Sequence, residues 1–172
     1  LHSRQEWIDK VIWWTKMIEK QNPPYKVATF RTDSEPTIVN NTVWMDWLQH
    51  KGIVHEVAAP YSQFQNGVAE RRIGLLTKST KAMLYASGLP MADWYHAMEY
   101  AAYLLNRTFS NSFPSPDGYL SPYQVFYQGA PDYVPTGIFG CHVLSKIYVK
   151  GKMAPATAEC IWLGKRDRTC KS

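Results

Sequence analysis

Cysteine is scarce in this chain: Cys141, Cys160 and Cys170 are three among 172 residues, an odd number with no C-x-x-C pair. That usage argues against a disulfide framework and against a cysteine zinc site, and it fits a reducing compartment. Long apolar runs are also missing. None approaches the roughly 20 residues that a bilayer span requires, so no membrane partner is expected. The opening Leu1-His-Ser-Arg-Gln-Glu6 is neither a signal peptide nor an initiator-methionine context, and it reads as a piece cut from a longer chain. There is no G-x-S-x-G elbow, no Cys–His nucleophile context and no glycine loop to cradle phosphates, so covalent hydrolysis and nucleotide binding have no support. His50 and His55 are too few for a zinc site and fall on different elements, while His96 and His142 read as core or surface histidines.

What remains is a globular composition, 45% hydrophobic and 19% charged. The length allows one domain or one plus a fraction. Seven tryptophans and eleven tyrosines supply a large aromatic surface, most of it for core packing. The net charge of +5 is unevenly spread: residues 146–172 carry seven cations against two anions, and the first 145 residues carry twelve of each sign. A neutral body with a basic end suggests a polyanionic partner, although a solvated basic surface is the commoner cause.

Hydrophobic periodicity divides the chain into alternating elements. Trp7, Ile8, Val11, Ile12, Trp14 and Ile18 recur at helical spacing between Arg4 and Gln21, and Asn22-Pro23-Pro24 stops that helix. Lys26 to Thr32 suits a buried strand ending at Asp33. Asn40 or Asn41 can cap a helix over Val43, Trp44, Trp47 and Leu48, with Gly52 just past its end. Ile53 to Ala58 is a second strand, stopped by Pro60, and a long helix runs from about Asn66 to Ala86. Pro90 suits the first turn of the next helix, whose stripe is Trp94, Ala97, Met98, Ala101, Leu104 and Leu105. Thr108 to Tyr119 reads as a loop, and Ser121-Pro122 opens a short capped helix. From Ile138 onward, Phe139 to Val149 and Glu159 to Gly164 read as short strands with basic turns. A boundary is placed near residue 137, giving domains 1–137 and 138–172. Strands alternating with helices in the first part indicate an α/β layer structure.

Two acids stand out, Asp33 at a strand end and Glu70 in the first turn of the long helix, with thirty-six residues between them. At about 100° per residue, Val68, Leu75, Leu76, Ser79, Ala82, Met83 and Ala86 form one arc expected to face the core. Glu70, Gly74, Thr77 and Lys81 fall opposite, Arg71 and Lys78 flank that open face, and Arg72 lies on the apolar arc and must snorkel. Gly74 leaves room for something to approach. A solvated basic helix explains the cations equally well, and the helix dipole favours a glutamate in the first turn. Chemistry gives the pair of acids a sharper meaning. Attack on a phosphodiester is efficient when two metal ions bridge the nucleophile and the leaving oxygen. Mg²⁺ is held by one or two carboxylates together with substrate phosphate oxygens. A third carboxylate would normally complete such a site.

Arg31-Thr-Asp33, Gly52-Ile-Val-His55, Ala59-Pro-Tyr61 and Gln65-Asn-Gly-Val-Ala-Glu-Arg71 resemble the integrase core of copia-type LTR retrotransposons. So do Leu89-Pro90 with Trp94, Tyr103-Leu-Leu-Asn-Arg107 and Ser121-Pro122. The resemblance implies a ribonuclease-H-like α/β fold with its N-terminal strands missing, followed by a partial small β-barrel. It implies an Asp, Asp, Glu triad binding Mg²⁺ or Mn²⁺, in which Asp33 is the second acid and Glu70 the third. It further implies Asn66 and Lys81 at the DNA end, Arg71 and Lys78 on phosphates, element and target DNA as partners, a homo-oligomer, and nuclear action. The family's first aspartate lies on a strand upstream of the helix that opens this chain, and neither Asp9 nor Asp46 can stand in for it. Ser34-Glu35-Pro36 replaces an Asn-Gly-Gly-Glu type run, Gln63-Phe64 replaces a Pro-Gln, and the acid spacing is one residue longer than usual. The expected activity is metal-dependent 3′-processing and strand transfer. The alternatives are a catalytically inactive relic or fragment that keeps the fold and some DNA affinity, and a nuclease on the same fold.

Overall fold

The computed structural model describes residues 4–59, 67–132, 137–147 and 157–165. The chain divides into two compact units, Leu1–Arg71 and Arg72–Ser172.

The first unit is built on one parallel strand pair and the helices beside it. Helix α1 spans Arg4–Gln21, strand β1 Thr29–Thr32, helix α2 Pro36–Val39, helix α3 Thr42–Lys51 and strand β2 Val54–Val57. Asn41, not Asn40, caps α3: its side-chain oxygen accepts the Trp44 N–H at 3.0 Å. Gly52 ends α3 at φ 68°, a left-handed conformation that favours glycine. Leaving at that angle, the chain turns directly into β2, which pairs with β1 in the register Phe30 with His55 and Thr32 with Val57.

The core of this unit is Ile8, Trp44, Leu48 and Ile53, with Trp7, Val11, Ile12, Val27, Phe30, Ile38 and Trp47 packed on it. Two expectations need correction. Trp14 is exposed, and its neighbour Thr15 is fully buried alongside Ile8, its hydroxyl donating to the Val11 carbonyl at 2.8 Å. With its hydroxyl bonded back one turn, the threonine presents only carbon to the core. The strand is also shorter and less buried than expected. The Val27 N–H donates to the Glu19 carboxylate at 3.0 Å, so the ladder begins later, and β1 then alternates exposed and half-buried residues.

The second unit holds most of helix α4 (Gly67–Ser87), a 3-10 turn at Met91–Asp93, helix α5 (Trp94–Arg107) and helix α6 (Pro122–Tyr127). Pro90 therefore precedes a 3-10 turn before the helix proper. The stretch expected as a loop contains a two-residue ladder, β3 (Pro114–Ser115) with β4 (Gly118–Tyr119). Ser121 caps α6 in a reciprocal box with Gln124. Strands β5 (His142–Lys146) and β6 (Thr157–Ile161) pair antiparallel.

Leu84, Ala97, Tyr100, Tyr103 and Phe139 form the core here. Trp94, expected on the apolar stripe of α5, is exposed, and Tyr100, Tyr103 and Arg107 are buried instead. Each of these polar groups has a partner. The Tyr100 hydroxyl donates to the Gly137 carbonyl at 2.6 Å, and the Tyr103 hydroxyl to that of Asp132 at 3.2 Å. The Arg107 guanidinium lies 3.6 Å from the Tyr103 ring centre and 4.6 Å from that of Tyr123.

The segment bearing β5 and β6 approaches the helices through glycines. A Cβ on Gly164, at φ 94°, would sit 2.4 Å from Cγ of Tyr100, and one on Gly140 would collide with Ser87. Gly52, also left-handed, has open space around it. Gly164→Ala is therefore expected to cost about 2–5 kcal/mol, left-handed strain plus overpacking. Gly52→Ala costs only the strain, about 1–2 kcal/mol. Urea denaturation of the two variants measures the difference, and equal losses would contradict the close approach. Burial raises the pKa of Tyr100 above its ordinary 10.0, the Trp162 side chain opposes the shift, and Tyr103 and Cys141 add to it. The folded state therefore holds this proton more tightly than the unfolded chain. Its stabilisation is complete below the ordinary tyrosine range and is lost as pH rises through the raised value. The stability gap between the parent and Tyr100→Phe should narrow in strong alkali.

Candidate nucleic-acid and metal site

Asp33 follows the last residue of β1, and the pairing with β2 fixes where that strand ends. The Ala58 N–H donates to the Thr32 carbonyl at 2.9 Å, which extends the ladder to the residue before the acid. The Thr32 hydroxyl donates to the carbonyl of Asp33 itself at 3.0 Å, and Nε2 of His55 lies 2.9 Å from the same hydroxyl. A hydroxyl has one proton to give. With that proton on the Asp33 carbonyl, His55 Nε2 carries a hydrogen and donates. The ring of His55 in turn stands edge-on to Trp44, centroids 6.0 Å apart. A chain of contacts thus runs from the buried tryptophan through His55 and Thr32 to the backbone of Asp33. This link was not legible in the sequence, because it depends on the strand register that sets His55 opposite Phe30.

The Asp33 side chain is exposed. Glu35, two residues on, is committed to the turn: it precedes Pro36 at the start of α2, and its carboxylate accepts from the Thr37 hydroxyl at 2.8 Å. On the exposed side of the sheet, Arg31 pairs with Glu56, directly opposite in the register, with Nε donating at 2.9 Å.

Glu70 lies in the first turn of α4 and is exposed, as are Arg71, Lys78 and Lys81. Asn66 and the rest of residues 60–66 lie outside the described residues. The arc assigned to the core needs rotating by about one residue's turn, roughly 100°. Val68 is 81% exposed and Ile73 62%, while Thr80 and Leu84 are buried. Here again a threonine hydroxyl is bonded back one turn, Thr80 to the Leu76 carbonyl at 2.8 Å. Arg72 is half-buried, in keeping with its place near the apolar side. Glu70 and Lys81 stay on the open side after the rotation.

Asp33 and Glu70 supply hard oxygen donors. Among the described residues, no three of His, Cys, Asp and Glu come together to hold a metal ion. Asp9 and Asp46 are exposed on helices α1 and α3. His50 is exposed at the end of α3, the His96 ring is tilted against that of Tyr95 with centroids 5.0 Å apart, and His142 is exposed at the start of β5. Much of the basic end, including Lys150, Lys152, Arg166, Arg168 and Lys171, lies outside the described residues.

No family model matches the chain. Among curated proteins it is similar to the retrovirus-related Pol polyprotein from transposon RE1 of Arabidopsis thaliana, 28% identical over 142 residues. That match covers 81% of this chain and 9% of the relative. A second relative is the retrovirus-related Pol polyprotein from transposon TNT 1-94 of Nicotiana tabacum, 29% identical over 125 residues, 71% of this chain and 9% of that protein. The chain thus spans about a tenth of the length of these relatives. Among solved structures, it is similar to a chain of the simian T-cell lymphotropic virus intasome in complex with PP2A regulatory subunit B56 gamma. The TM-score is 0.53 at 14% identity, covering 94% of this chain and 54% of that one. The resemblance read from the motifs is borne out by these relatives.

The His55–Thr32–Asp33 chain makes a testable claim on stability. Thr32→Val removes the shared hydroxyl and leaves the half-buried His55 donor without its partner, an expected loss of about 1–3 kcal/mol. Thr32→Ser keeps the hydroxyl and should lose much less. Chemical denaturation compares them, and equal losses would mean the hydroxyl is not holding the strand end.

Proposed function

We propose that this chain, a relative of the retrovirus-related Pol polyproteins of plant copia-type transposons, forms part of the catalytic core of a DNA integrase. Its activity in that setting is metal-dependent 3′-processing and strand transfer, joining element DNA to target DNA. The observation that carries the reading is the placement of two exposed carboxylates. Asp33 stands at the end of a parallel strand and Glu70 in the first turn of a helix with no other acid and four cations.

The donor set suits a hard divalent ion in kind, because carboxylate oxygens, water and substrate phosphate complete the shell of Mg²⁺ or Mn²⁺. Such an ion would supply Lewis-acid activation of a phosphoryl oxygen and a lowered pKa for attacking water. The chain's own residues have distinct tasks. Asp33 and Glu70 are the ligands. Thr32 and His55 hold the backbone that carries Asp33. Arg71 and Lys78 take phosphates, and Lys81 with Asn66 meets the DNA end.

A ribonuclease-H-like core accounts for the sheet. Among the described residues β1 pairs only with β2, and one face of that parallel pair is exposed. Parallel strands are ordinarily covered on both faces, and two strands alone are marginal. An upstream strand on the free edge of β1 would complete the sheet and bring the first acid of the triad beside Asp33. The β5–β6 ladder then belongs to the small barrel that follows the core. DNA as partner implies a nuclear site of action, and joining two element ends to one target suits a homo-oligomer.

The test is strand transfer by a protein that joins this chain to an upstream strand bearing an aspartate. Asp33→Asn and Glu70→Gln should each lower the rate roughly a hundredfold or more, the several kcal/mol that metal ligation supplies, while leaving the fold unchanged. Undiminished joining by Glu70→Gln would remove it from the site.

A further inference from the structure

The last turn of helix α4 holds a residue that its packing leaves unexplained. Tyr85 is 92% exposed, the largest fraction among the exposed large hydrophobic residues. Its hydroxyl has no partner among the described residues, whereas those of Tyr100 and Tyr103 each reach a backbone carbonyl. The helix turns Thr80 and Leu84 inward, and Tyr85 follows Leu84 by one residue, on the other side.

Tyr85 falls in line with charge. Arg71, Gly74, Lys78, Lys81 and Tyr85 recur at intervals of three and four, which puts them on one stripe of the helix surface. The three cations are exposed and make no ion pair with a described residue. Gly74 has no conformational or packing need to be glycine: its φ is not positive, and a Cβ there would meet nothing within 4 Å. What its missing side chain does is bare the backbone between Arg71 and Lys78. From Gly74 to Tyr85 the helix rises about 16 Å, the span of about five nucleotides along one strand at roughly 3.4 Å each.

We propose that Tyr85 is a base-stacking platform closing this stripe, and that α4 takes an unpaired DNA strand along it, with Lys78 and Lys81 on phosphates and the phenol ring against a base. This rests on the reading that α4 meets DNA, and it adds which form of DNA. Closed duplex satisfies the lysines through its phosphates but hides every base face in the stack. An unpaired base at a strand end offers that face, and an aromatic ring standing clear of its neighbours can cover it whatever the sequence. The exposed neighbours Ala82 and Ala86 are small.

Fluorescence anisotropy on the whole chain, with a duplex carrying a five-nucleotide single-stranded tail and with the same duplex sealed by hairpins at both ends, tests this. Tyr85→Ala should weaken binding to the tailed DNA about tenfold or more and leave the sealed duplex unchanged. Tyr85→Phe and Tyr85→Trp should keep tailed-DNA affinity. Lys78→Ala should weaken both DNAs and reduce the salt slope by about one. Equal binding of the tailed DNA by Tyr85→Ala, with the lysine effects intact, overturns the stacking role and leaves the DNA reading standing. A fall in sedimentation mass for Tyr85→Ala without loss of tailed-DNA affinity gives the ring to a second copy of the chain and overturns the proposal. Binding of neither DNA by the parent chain overturns both readings.

Discussion

The placement of Asp33 depends on one buried ring. Trp44 is 0% exposed and lies within 6.0 Å, centroid to centroid, of Trp7, Phe30, Trp47 and His55. Those neighbours come from α1, β1, α3 and β2, so a single side chain ties every long element of the first unit together. Its indole N–H finds no acceptor among the described residues, which costs about 1–3 kcal/mol. Burying some 150–250 Å² of ring at about 25 cal/mol per Å² returns about 4–6 kcal/mol, so packing wins. The same contact with His55 is the first link of the chain that ends at the Asp33 backbone. Hydrophobic burial and the geometry of an exposed acid are therefore parts of one arrangement.

The second unit is held differently. Its interior is lined by tyrosines whose hydroxyls are paired with carbonyls and by an arginine laid across two rings. Such a core takes in polar groups and pairs its tyrosine hydroxyls rather than excluding them. The glycines at 137, 140 and 164 let backbone lie against Trp162, Ser87 and Tyr100, where any larger residue would hold it away. Position, more than volume, is what these contacts specify.

Signals that act over a few residues were legible in the sequence. Asn41, Gly52 and Ser121 mark helix ends because capping is a local hydrogen-bonding event. Asp33 at a strand end and Glu70 on the open side of a helix's first turn were legible because strand ends and helix starts carry local signals. The burial of Thr15 and Thr80 was not, since a threonine counts as polar until its hydroxyl is seen bonded to the carbonyl four residues back. Misreading Thr80 is what turned the α4 arc by about one residue. The exposure of Trp14 and Trp94 has the same origin, for apolar residues outnumber the places inside and composition alone does not say which are left out. His55 escaped notice as part of the site because its role needs the register between two strands.

Consider finally the ion pair between Arg31 and Glu56. Both side chains are about half exposed, so water screens the pair and replacing either residue alters little. That tolerance belongs to the surface and not to the residues. Any layer laid over this face would take both charges out of water together, and each would then be the other's chief neutralising partner. A substitution harmless in the uncovered sheet would strand a charge inside the covered one, at about 3–5 kcal/mol. The mutational sensitivity of Arg31 and Glu56 is thus a gauge of whether the sheet is bare or clothed.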